Sequence, residues 1–237
     1  MSDDISFKII GIAHTPYKQK FGIPRQPGLV PDIPGTLEIH PPYNREEAFR
    51  SIEKFSHLWI SFIFHGIESN KWQSMVRPPR LGGNKKVGVF ASRSTHRPNP
   101  MGLSVVKLES VEVNQQQLLL HISSHDLLDQ TPIIDIKPYL PYSDAVNAAS
   151  NGYAPAPESH LYEVEFSSQS LEFIQDWQHE QAINLKSQLT SILSQDPRPA
   201  YSKDDPQRQS YGMKLYNLDI QFTIENNCMK ITKITQI

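Results

Sequence analysis

Residues 103–123, with the sequence LSVVKLESVEVNQQQLLLHIS, contain two apolar runs separated by a short polar turn. Residues 103–113 are rich in Val and other apolar residues, which predicts a long β-strand. Asn114, Gln115 and Gln116 form a polar turn, after which residues 117–123 return as a second strand. We therefore expect a β-hairpin, a unit of antiparallel sheet.

Further short strands are predicted on both sides of this hairpin. Residues 57–65 (HLWISFIFH) are β-branched and aromatic almost throughout, as in a strand buried on both faces. The other predicted strands are 7–14, 87–91 and 133–136. Residues 16–43 contain seven prolines and are expected to form a structured loop region, and 44–55 a helix of about three turns that starts at Asn44. Many short strands with only one helix predict a mainly β fold, a closed or nearly closed antiparallel β-barrel over residues 5–146.

The C-terminal third has a different composition. Residues 147–157 are rich in Ala, Ser, Asn, Gly and Pro and predict a linker. Apolar residues near a 3.6 period predict a long amphipathic helix over 168–195, with a possible break at the polar centre, 178–181. Strands at 215–224 and 228–234 should form a final hairpin. A small α+β domain is therefore expected over 160–237.

Composition excludes several classes of protein. The chain has 237 residues, of which 38% are apolar and 20% charged, as in globular proteins. The sequence contains no run of eighteen apolar residues and begins with the acidic segment Met1-Ser2-Asp3-Asp4, so neither a membrane span nor a signal peptide is expected. A single cysteine, Cys228, excludes an internal disulfide and a cysteine-rich zinc site. A cytoplasmic protein without membrane contact is predicted.

Positive charge is concentrated in one segment. Residues 69–108, here called the basic block, contain eight Lys and Arg residues and no Asp or Glu. The rest of the chain has 15 basic and 25 acidic residues, a net charge of −10. A solvated charged face is one explanation, but such faces usually mix both signs. The basic block therefore indicates a partner that carries phosphate groups.

The common motifs of nucleotide and metal sites are absent from the sequence. No G-x-G-x-x-G occurs, so the dinucleotide-binding turn of a Rossmann fold is not expected. Gly83 and Gly88 have P-loop spacing, but Val89 and Phe90 follow where Lys and Ser or Thr are required. His121 and His125 are too far apart along a strand to share a metal. No metal site is predicted.

Four polar segments rich in Pro and Gly are the candidates for a ligand site. Proline fixes the backbone and glycine permits close approach, so such loops hold polar groups rigidly. A rigid rim of arginines and backbone amides suits an anionic or zwitterionic ligand, although the segments could also be simple barrel turns. These segments are residues 24–28, 77–83, 92–102 and 126–132.

The same segments resemble a known family. The sequence closely resembles the TsaA-like family called TrmO, transfer RNA (adenine-N6)-methyltransferases, over nearly the whole chain. The matching strings are IGIAHTPYKQKFGIPRQPGLV (10–30), FSHLWISFIFH (55–65), RPPRLGGN (77–84), VGVFASRSTHRPNPMGLSVV (87–106), LDQTPIIDIKPYLPY (128–142) and QDPRPAY (195–201). The resemblance implies a homodimeric β-barrel enzyme that uses S-adenosylmethionine. The implied reaction is N6-methylation of threonylcarbamoyl-adenosine 37, next to the anticodon of threonine transfer RNA.

The resemblance also implies which residues bind the cofactor. An Arg could hold the carboxylate of S-adenosylmethionine in a bidentate contact, an Asp could accept from its amino group or ribose, and Leu and Pro could pack on the adenine. For the histidine, a structural role as the capped end of a core strand is an equal alternative. The implied cofactor residues are Arg25, Gln26, Pro27, His65, Gly66, Arg93, Leu103, Asp129, Gln130, Thr131 and Pro132.

Two segments are expected to bind the RNA. In the segment 195–201, Arg198 could contact phosphate and Tyr201 could stack on a base, unless its prolines only end the preceding helix. The basic block supplies the other cations. The predicted substrate residues are Arg77, Arg80, Lys85, Lys86, Arg97, Asp196, Arg198 and Tyr201.

No catalytic residue is assigned from the sequence. Asp135 lies in an apolar strand and is a candidate proton acceptor, but an ion pair between Asp135 and Lys137 on one strand face is at least as plausible. Two other functions also remain open: a transfer-RNA-binding module without catalysis, and a β-barrel methyltransferase for a small molecule or protein. Binding of S-adenosylmethionine separates the first from an enzyme, and salt-dependent RNA binding separates the second.

Overall fold

Twelve strands and three α-helices organise the described part of the chain. The structure is a computed structural model and describes residues 5–67, 72–81, 84–114, 117–154, 161–181, 183–198 and 210–237. The strands are β1 (Gly11–His14), β2 (Gly35–Ile39), β3 (His57–Ile63), β4 (Met75–Val76), β5 (Val87–Gly88), β6 (Met101–Val113), β7 (Leu118–Ser123), β8 (Thr131–Pro138), β9 (Glu163–Phe166), β10 (Ser210–Leu215), β11 (Leu218–Glu225) and β12 (Cys228–Gln236). The helices are α1 (Pro141–Asp144), α2 (Ser168–Gln181) and α3 (Leu185–Ser194). No helix among these is long and apolar enough to cross a membrane.

Six strands form a closed barrel in the order β1-β2-β7-β6-β3-β8, with β8 returning to β1. Every neighbouring pair is antiparallel. The hairpin predicted from residues 103–123 is present as β6 and β7, and the antiparallel barrel followed by a small α+β domain is confirmed. Closure pairs every strand on both sides, so the barrel has no exposed sheet edge.

The strand β3 shows how the barrel is filled. Leu58, Ile60 and Phe62 point inward and are buried, whereas the residues between them are half-buried. The prediction that this strand is buried on both faces is therefore wrong. Its outer face carries Trp59, whose indole nitrogen donates to Asp144 Oδ2 at 2.9 Å. The aromatic residue on that face therefore contacts the segment that follows the barrel.

Two predictions at the N-terminal end are also wrong. The opening strand is limited to β1, and Ile5, Phe7 and Ile9 before it are exposed. Residues 16–43 are not loop throughout, because β2 lies among them and pairs with β1 and β7. Only Leu37 and Ile39 of β2 are apolar and buried, which is too short a pattern to stand out among seven prolines.

The predicted helix at 44–55 is replaced by two 3-10 turns, Glu46–Phe49 and Ile52–Lys54. Ser51 between them has a φ of 73°, a left-handed conformation that cannot continue a right-handed helix. The predicted strand 87–91 likewise becomes β5 followed by the 3-10 turn Val89–Ala91. Phe49, Ile52 and Phe55 of the first segment still pack against the barrel core, and β5 of the second segment pairs with β4. In each case the run is too short for the predicted element.

The C-terminal domain is a four-stranded sheet in the order β10-β11-β12-β9, covered by α2 and α3. Its long helix is broken, as the polar centre suggested, and Asn184 caps α3 by accepting from the Ser187 amide at 3.0 Å. The final strands differ from the prediction at their start. Tyr216, with a φ of 56°, places a turn between β10 and β11, and β9 adds a parallel edge strand that was not predicted.

The segment after β1 joins the two domains. Tyr17, Val30 and Ile33 are buried in the core of the C-terminal domain together with residues of α2, α3 and its sheet. Tyr17 also forms a bridge to Leu215, and the Tyr216 amide donates to the Pro16 carbonyl at 2.9 Å. The loop that leaves the barrel is therefore part of the second core.

Replacing Gly11 with Ala should destabilise the fold by about 1–3 kcal/mol. A Cβ at Gly11 would lie 2.3 Å from the Glu38 carbonyl oxygen, which belongs to the backbone of β2 and cannot rotate away. Urea unfolding measures the effect. Gly88→Ala is the control, since a Cβ there meets nothing within 4 Å, and its free energy of unfolding should change by less than about 0.5 kcal/mol. Equal effects of the two substitutions would contradict this packing.

Candidate active site

One end of the barrel collects the loops that carry the predicted ligand segments. Because neighbouring strands are antiparallel, the ends of β1, β3 and β7 lie beside the starts of β2, β6 and β8. The connecting loops at this end are residues 15–34, 64–100 and 124–130. The described residues of all four Pro- and Gly-rich segments lie in these loops or at the strand starts that follow them.

Gln26 and Arg93 are brought together from opposite sides of this end. Arg93 Nη1 donates to Gln26 Oε1, across 67 residues of sequence. The loop 24–28 is docked on the next loop, since the Gly28 amide donates to the Ser124 carbonyl at 2.9 Å. Gly28 has a φ of 82°, so a glycine suits this position. Leu103 lies near the start of β6 with its side chain on the outer face of the barrel, where it is 58% exposed.

Arg25 contacts the turn that follows α3. Its Nη2 donates to the carbonyl oxygens of Asp196 and Arg198, at 3.3 and 3.2 Å. Arg25 and Arg93 were alternative partners for a ligand carboxylate on sequence grounds. The structure leaves Arg93, which is exposed, as the better placed of the two.

His65 and Thr131, two of the predicted cofactor residues, lie close together in the structure. His65 lies in the turn after β3, and its Nδ1 is 3.5 Å from Thr131 Oγ1. The Thr131 hydroxyl donates to the Leu128 carbonyl at 2.7 Å. Gly66 follows, where a Cβ would lie 3.0 Å from Lys20 Cε, so the absent side chain lets Lys20 pack against this turn.

Asp129 is held as a charged carboxylate. Its Oδ1 accepts from the Thr15 amide at 2.8 Å and its Oδ2 from Lys18 Nζ at 2.7 Å. Burial alone would raise the pKa of Asp129, but these donors outweigh it and hold the pKa below its ordinary value. Gln130 points to His14, with 3.1 Å between Gln130 Nε2 and His14 Nδ1, and Pro132 lies in the ladder opposite Ile12.

Asp126 is a feature of the site to which the sequence assigned no role. It is half-buried, and the hydroxyl of Ser104 donates to its Oδ1 at 2.6 Å. Burial raises the pKa of Asp126 above its ordinary value, and the Ser104 hydrogen bond and the charge of Arg93 offset this only in part. The contact is possible because β7 ends opposite Lys107, which leaves the start of β6 open to the loop 124–130. The one signal in the sequence is an acidic residue directly before the apolar pair at 127–128.

The predicted RNA-binding residues divide into two groups. Arg77, Lys85 and Lys86 are exposed beside β4 and β5. Arg97 is held inside its own loop, where Nη1 donates to the Ser92 carbonyl at 2.9 Å and the guanidinium lies 5.5 Å from the centre of the Phe90 ring. Arg80 is described only in its backbone, within the 3-10 turn Pro79–Leu81, and Tyr201 lies outside the described residues.

Asp196 and Arg198 form a buried ion pair. Arg198 Nε lies 2.8 Å from Asp196 Oδ1, and the two side chains are 8% and 2% exposed respectively. Burial works against the charge of Arg198, but the hydrogen bonds and charge of Asp196 outweigh it and hold the pKa of the guanidinium above its ordinary value. A phosphate contact through Arg198 would require the guanidinium to leave this pair.

Asp135 has the structural role that the sequence left open. Its Oδ2 lies 3.4 Å from Lys137 Nζ, and both side chains are at least half exposed. It is therefore not a buried carboxylate with a functional environment. Within the described residues, no group of three or more His, Cys, Asp and Glu side chains is arranged to hold a metal ion.

Two family models together match nearly the whole chain. The tRNA-methyltransferase O N-terminal domain matches residues 12–145, and the TrmO C-terminal domain matches residues 159–237. The chain belongs to the TrmO family. The resemblance to the TrmO family stated from the sequence is thereby confirmed.

Related proteins agree with this assignment. A protein of Escherichia coli K12 named tRNA (adenine(37)-N6)-methyltransferase is 42% identical over 225 residues, 92% of each chain. A Pseudomonas aeruginosa protein named putative S-adenosylmethionine-dependent methyltransferase RcsF is 46% identical over 217 residues, 90% of each chain. A crystal structure of TrmO from P. aeruginosa superimposes with a TM-score of 0.81 and 36% identity, and covers 99% of this chain and 98% of the other.

Proposed function

We propose that this TrmO-family protein methylates N6 of adenosine 37 in transfer RNA, with S-adenosylmethionine as the methyl donor. The observation that carries the proposal is the match over both domains to a protein named for this reaction. The finer proposal is that the adenosine bears a threonylcarbamoyl group and lies next to the anticodon of threonine transfer RNA. The close resemblance noted from the sequence supports this finer substrate.

The chemistry of the donor set at the barrel end fits S-adenosylmethionine. A zwitterionic ligand needs a cation for its carboxylate and acceptors for its amino and hydroxyl groups, which Arg93 and Asp129 supply. Leu103 and Pro27 offer apolar surface for an adenine ring. The loops also carry Gln26, His65, Gly66 and the 130–132 turn, which we propose line the same site. When bound, the cofactor supplies a methyl group activated as a sulfonium.

Asp126 is the proposed proton acceptor. The acceptor nitrogen shares its lone pair with the adenine ring and its substituent, so methylation at N6 requires loss of the proton that this nitrogen carries. A carboxylate with a raised pKa and a position fixed by Ser104 is suited to take that proton. The charge of Arg93 acts on Asp126, which supports the proposal that the carboxylate lies in the same site as the proposed cofactor residues. Asp135 is half exposed and paired with Lys137, and no hydroxyl of the described residues holds it as Ser104 holds Asp126.

Methyl transfer from labelled S-adenosylmethionine tests the function directly. Transfer RNA is taken from cells that make threonylcarbamoyl-adenosine and from cells that cannot, and the labelled nucleoside is identified by mass spectrometry. Label only in the first RNA is expected. Label in both would contradict the finer substrate. Cofactor binding without label would contradict methylation of transfer RNA, and RNA binding without cofactor binding would favour a non-catalytic module.

Replacing both Lys85 and Lys86 with Ala should weaken transfer-RNA binding and its dependence on salt. Both side chains are exposed within the basic block, so we propose that they contact phosphates. Each lost phosphate contact lowers the slope of log affinity against log salt by about 0.9. Filter binding at several salt concentrations measures this. Lys230→Ala with Lys233→Ala on β12 is the matched control, and an equal loss there would contradict a specific role for the basic block.

The site of action and assembly state belong to the same proposal. We place the protein in the cytoplasm, where transfer RNA is modified, and propose that it works as a homodimer. Support for the dimer comes from the family resemblance and from the exposed apolar side chains of Met75 and Phe90, which a second copy would cover. Sedimentation equilibrium of the full chain tests it, and a monomer at micromolar concentration would contradict it.

A further inference from the structure

The turn after α3 is built around a charged pair that the solvent does not reach. Arg198 donates a hydrogen bond to each carboxylate oxygen of Asp196, with Nε 2.8 Å from Oδ1 and Nη2 3.1 Å from Oδ2. The backbone amide of Arg198 also donates to Asp196 Oδ1, at 3.2 Å. Asp196 has a φ of 50°. Three hydrogen bonds to one carboxylate therefore fix a backbone conformation that is uncommon for a non-glycine residue.

Two tyrosines hold the same guanidinium from the sheet. The Arg198 guanidinium carbon lies 5.5 Å from the ring centre of Tyr162 and 5.8 Å from that of Tyr211. Arg198 Nη2 also donates to the Tyr162 hydroxyl at 3.0 Å. Tyr162 directly precedes β9, and Tyr211 lies in β10. The turn is thus attached to both edge strands of the C-terminal sheet.

The buried pair places two backbone carbonyl groups, those of Asp196 and Arg198, against the loop 24–28. Arg25 Nη2 donates to the carbonyl oxygens of Asp196 and Arg198, at 3.3 and 3.2 Å. The turn follows the C-terminal end of α3, whose partial negative charge also favours a guanidinium. Arg25 is bonded directly to Gln26, the partner of Arg93. A continuous set of contacts therefore runs from the buried pair to the loop 24–28.

We propose that Asp196 and Arg198 are positioning residues for the methyl-donor site and act through Arg25. They hold the loop 24–28 against the barrel end, and they do not contact the RNA. This inference rests on the proposed function, which places the donor at that loop, and it replaces the expectation that Arg198 binds phosphate. The C-terminal domain thereby contributes to the cofactor site from outside the barrel.

The first test uses Arg198→Lys and Asp196→Asn in the full chain. Each keeps the size of the side chain approximately while it removes the bidentate pair. We expect the dissociation constant for S-adenosylhomocysteine, measured by calorimetry, to rise roughly tenfold, and transfer-RNA affinity to stay within about twofold. Arg50→Lys, at an exposed arginine between the 3-10 turns, is the control and should change neither. Weaker RNA binding with unchanged S-adenosylhomocysteine affinity would overturn the proposal.

A second test replaces Arg25, whose substitution does not alter the buried pair, and then measures the coupling between Arg25 and Arg198. Arg25→Gln alters the half-buried partner of the contact and leaves the more deeply buried pair intact. It should weaken S-adenosylhomocysteine binding as Arg198→Lys does, and the double variant should be no weaker than either single one. Additive losses would mean that Arg198 does not act through Arg25.

Hydrogen exchange separates this inference from the proposed function. In the protein without added ligand, the peptide covering residues 22–30 should exchange faster in Arg198→Lys than in the wild type, because its anchor is lost. Unchanged exchange would overturn the positioning role. If the wild-type chain bound no S-adenosylhomocysteine at all, the proposed function would fail, while the exchange comparison would still decide whether the pair holds the loop.

Discussion

Replacing Asp126 with Asn should lower the rate of methyl transfer to transfer RNA by about 10²–10⁴-fold, the range typical for loss of a general base. The substitution keeps the shape of the side chain and its contact with Ser104, but it removes the group that we propose accepts the proton. Affinity for S-adenosylhomocysteine should change little, because Arg93 and Asp129 remain. Single-turnover rates with saturating cofactor measure the effect separately from binding.

The dependence of this rate on pH gives an independent check. Because Asp126 would act in its ionised form and burial raises its pKa, the wild-type rate should increase with pH through a midpoint above that of an ordinary aspartate. This increase of the rate with pH should be absent from Asp126→Asn. Asp176→Asn, at an exposed position in α2, is the control and should behave as wild type. A wild-type rate in Asp126→Asn would remove Asp126 from the mechanism.

Acidification should destabilise the fold through His125 by about 3 kcal/mol between pH 6.5 and 4. His125 is fully buried, its Nε2 lies 3.1 Å from the Pro34 carbonyl and its Nδ1 accepts from the Leu127 amide at 3.3 Å. Burial lowers its pKa to about 4, against 6.5 for the free side chain, and the Pro34 hydrogen bond offsets this only in part. The unfolded chain therefore takes up a proton in this range before the folded chain does. The stabilisation is complete above pH 6.5 and is lost as the pH falls towards 4.

Urea unfolding at pH 7, 5.5 and 4.5 tests this prediction. His125→Gln can keep both hydrogen bonds and cannot be protonated, so its free energy of unfolding should fall less steeply than that of the wild type. His179→Gln, at an exposed position in α2, should retain the wild-type slope. Equal slopes in all three proteins would show that His125 is not the group responsible.

The sequence predicts the parts of the fold where a pattern is long enough to be specific. The strands β6 and β7 and the pair β11 and β12 were found because apolar residues recur over six or more positions. The strands β2 and β9 have five and four residues and give no such signal. The helix expected at 44–55 fails at Ser51, whose left-handed backbone conformation is not indicated by its residue type.

The site shows a similar division. The segments were identifiable because Pro, Gly and Arg cluster in them, but partners such as Gln26 and Arg93 are 67 residues apart and meet only in the folded chain. Asp126 and Asp129 look alike in the sequence. Lys18 keeps Asp129 charged, whereas burial raises the pKa of Asp126. Lys18 and Ser104, which contact these two carboxylates, are both distant from them in the sequence. The burial of Arg198 against Asp196 was not predictable for a related reason, since residue type does not show whether a guanidinium is buried.

Domain exchange during evolution is constrained by the segment that carries Tyr17, Val30 and Ile33. These side chains complete the core of the C-terminal domain, although they are encoded far upstream, between the first two barrel strands. A recombination that replaced only the region after the linker would pair a foreign sheet with this apolar segment and leave both surfaces poorly matched. The unit that can be inherited or grafted is therefore discontinuous. Either residues 16–33 are transferred with the C-terminal domain, or the barrel and that domain are transferred together.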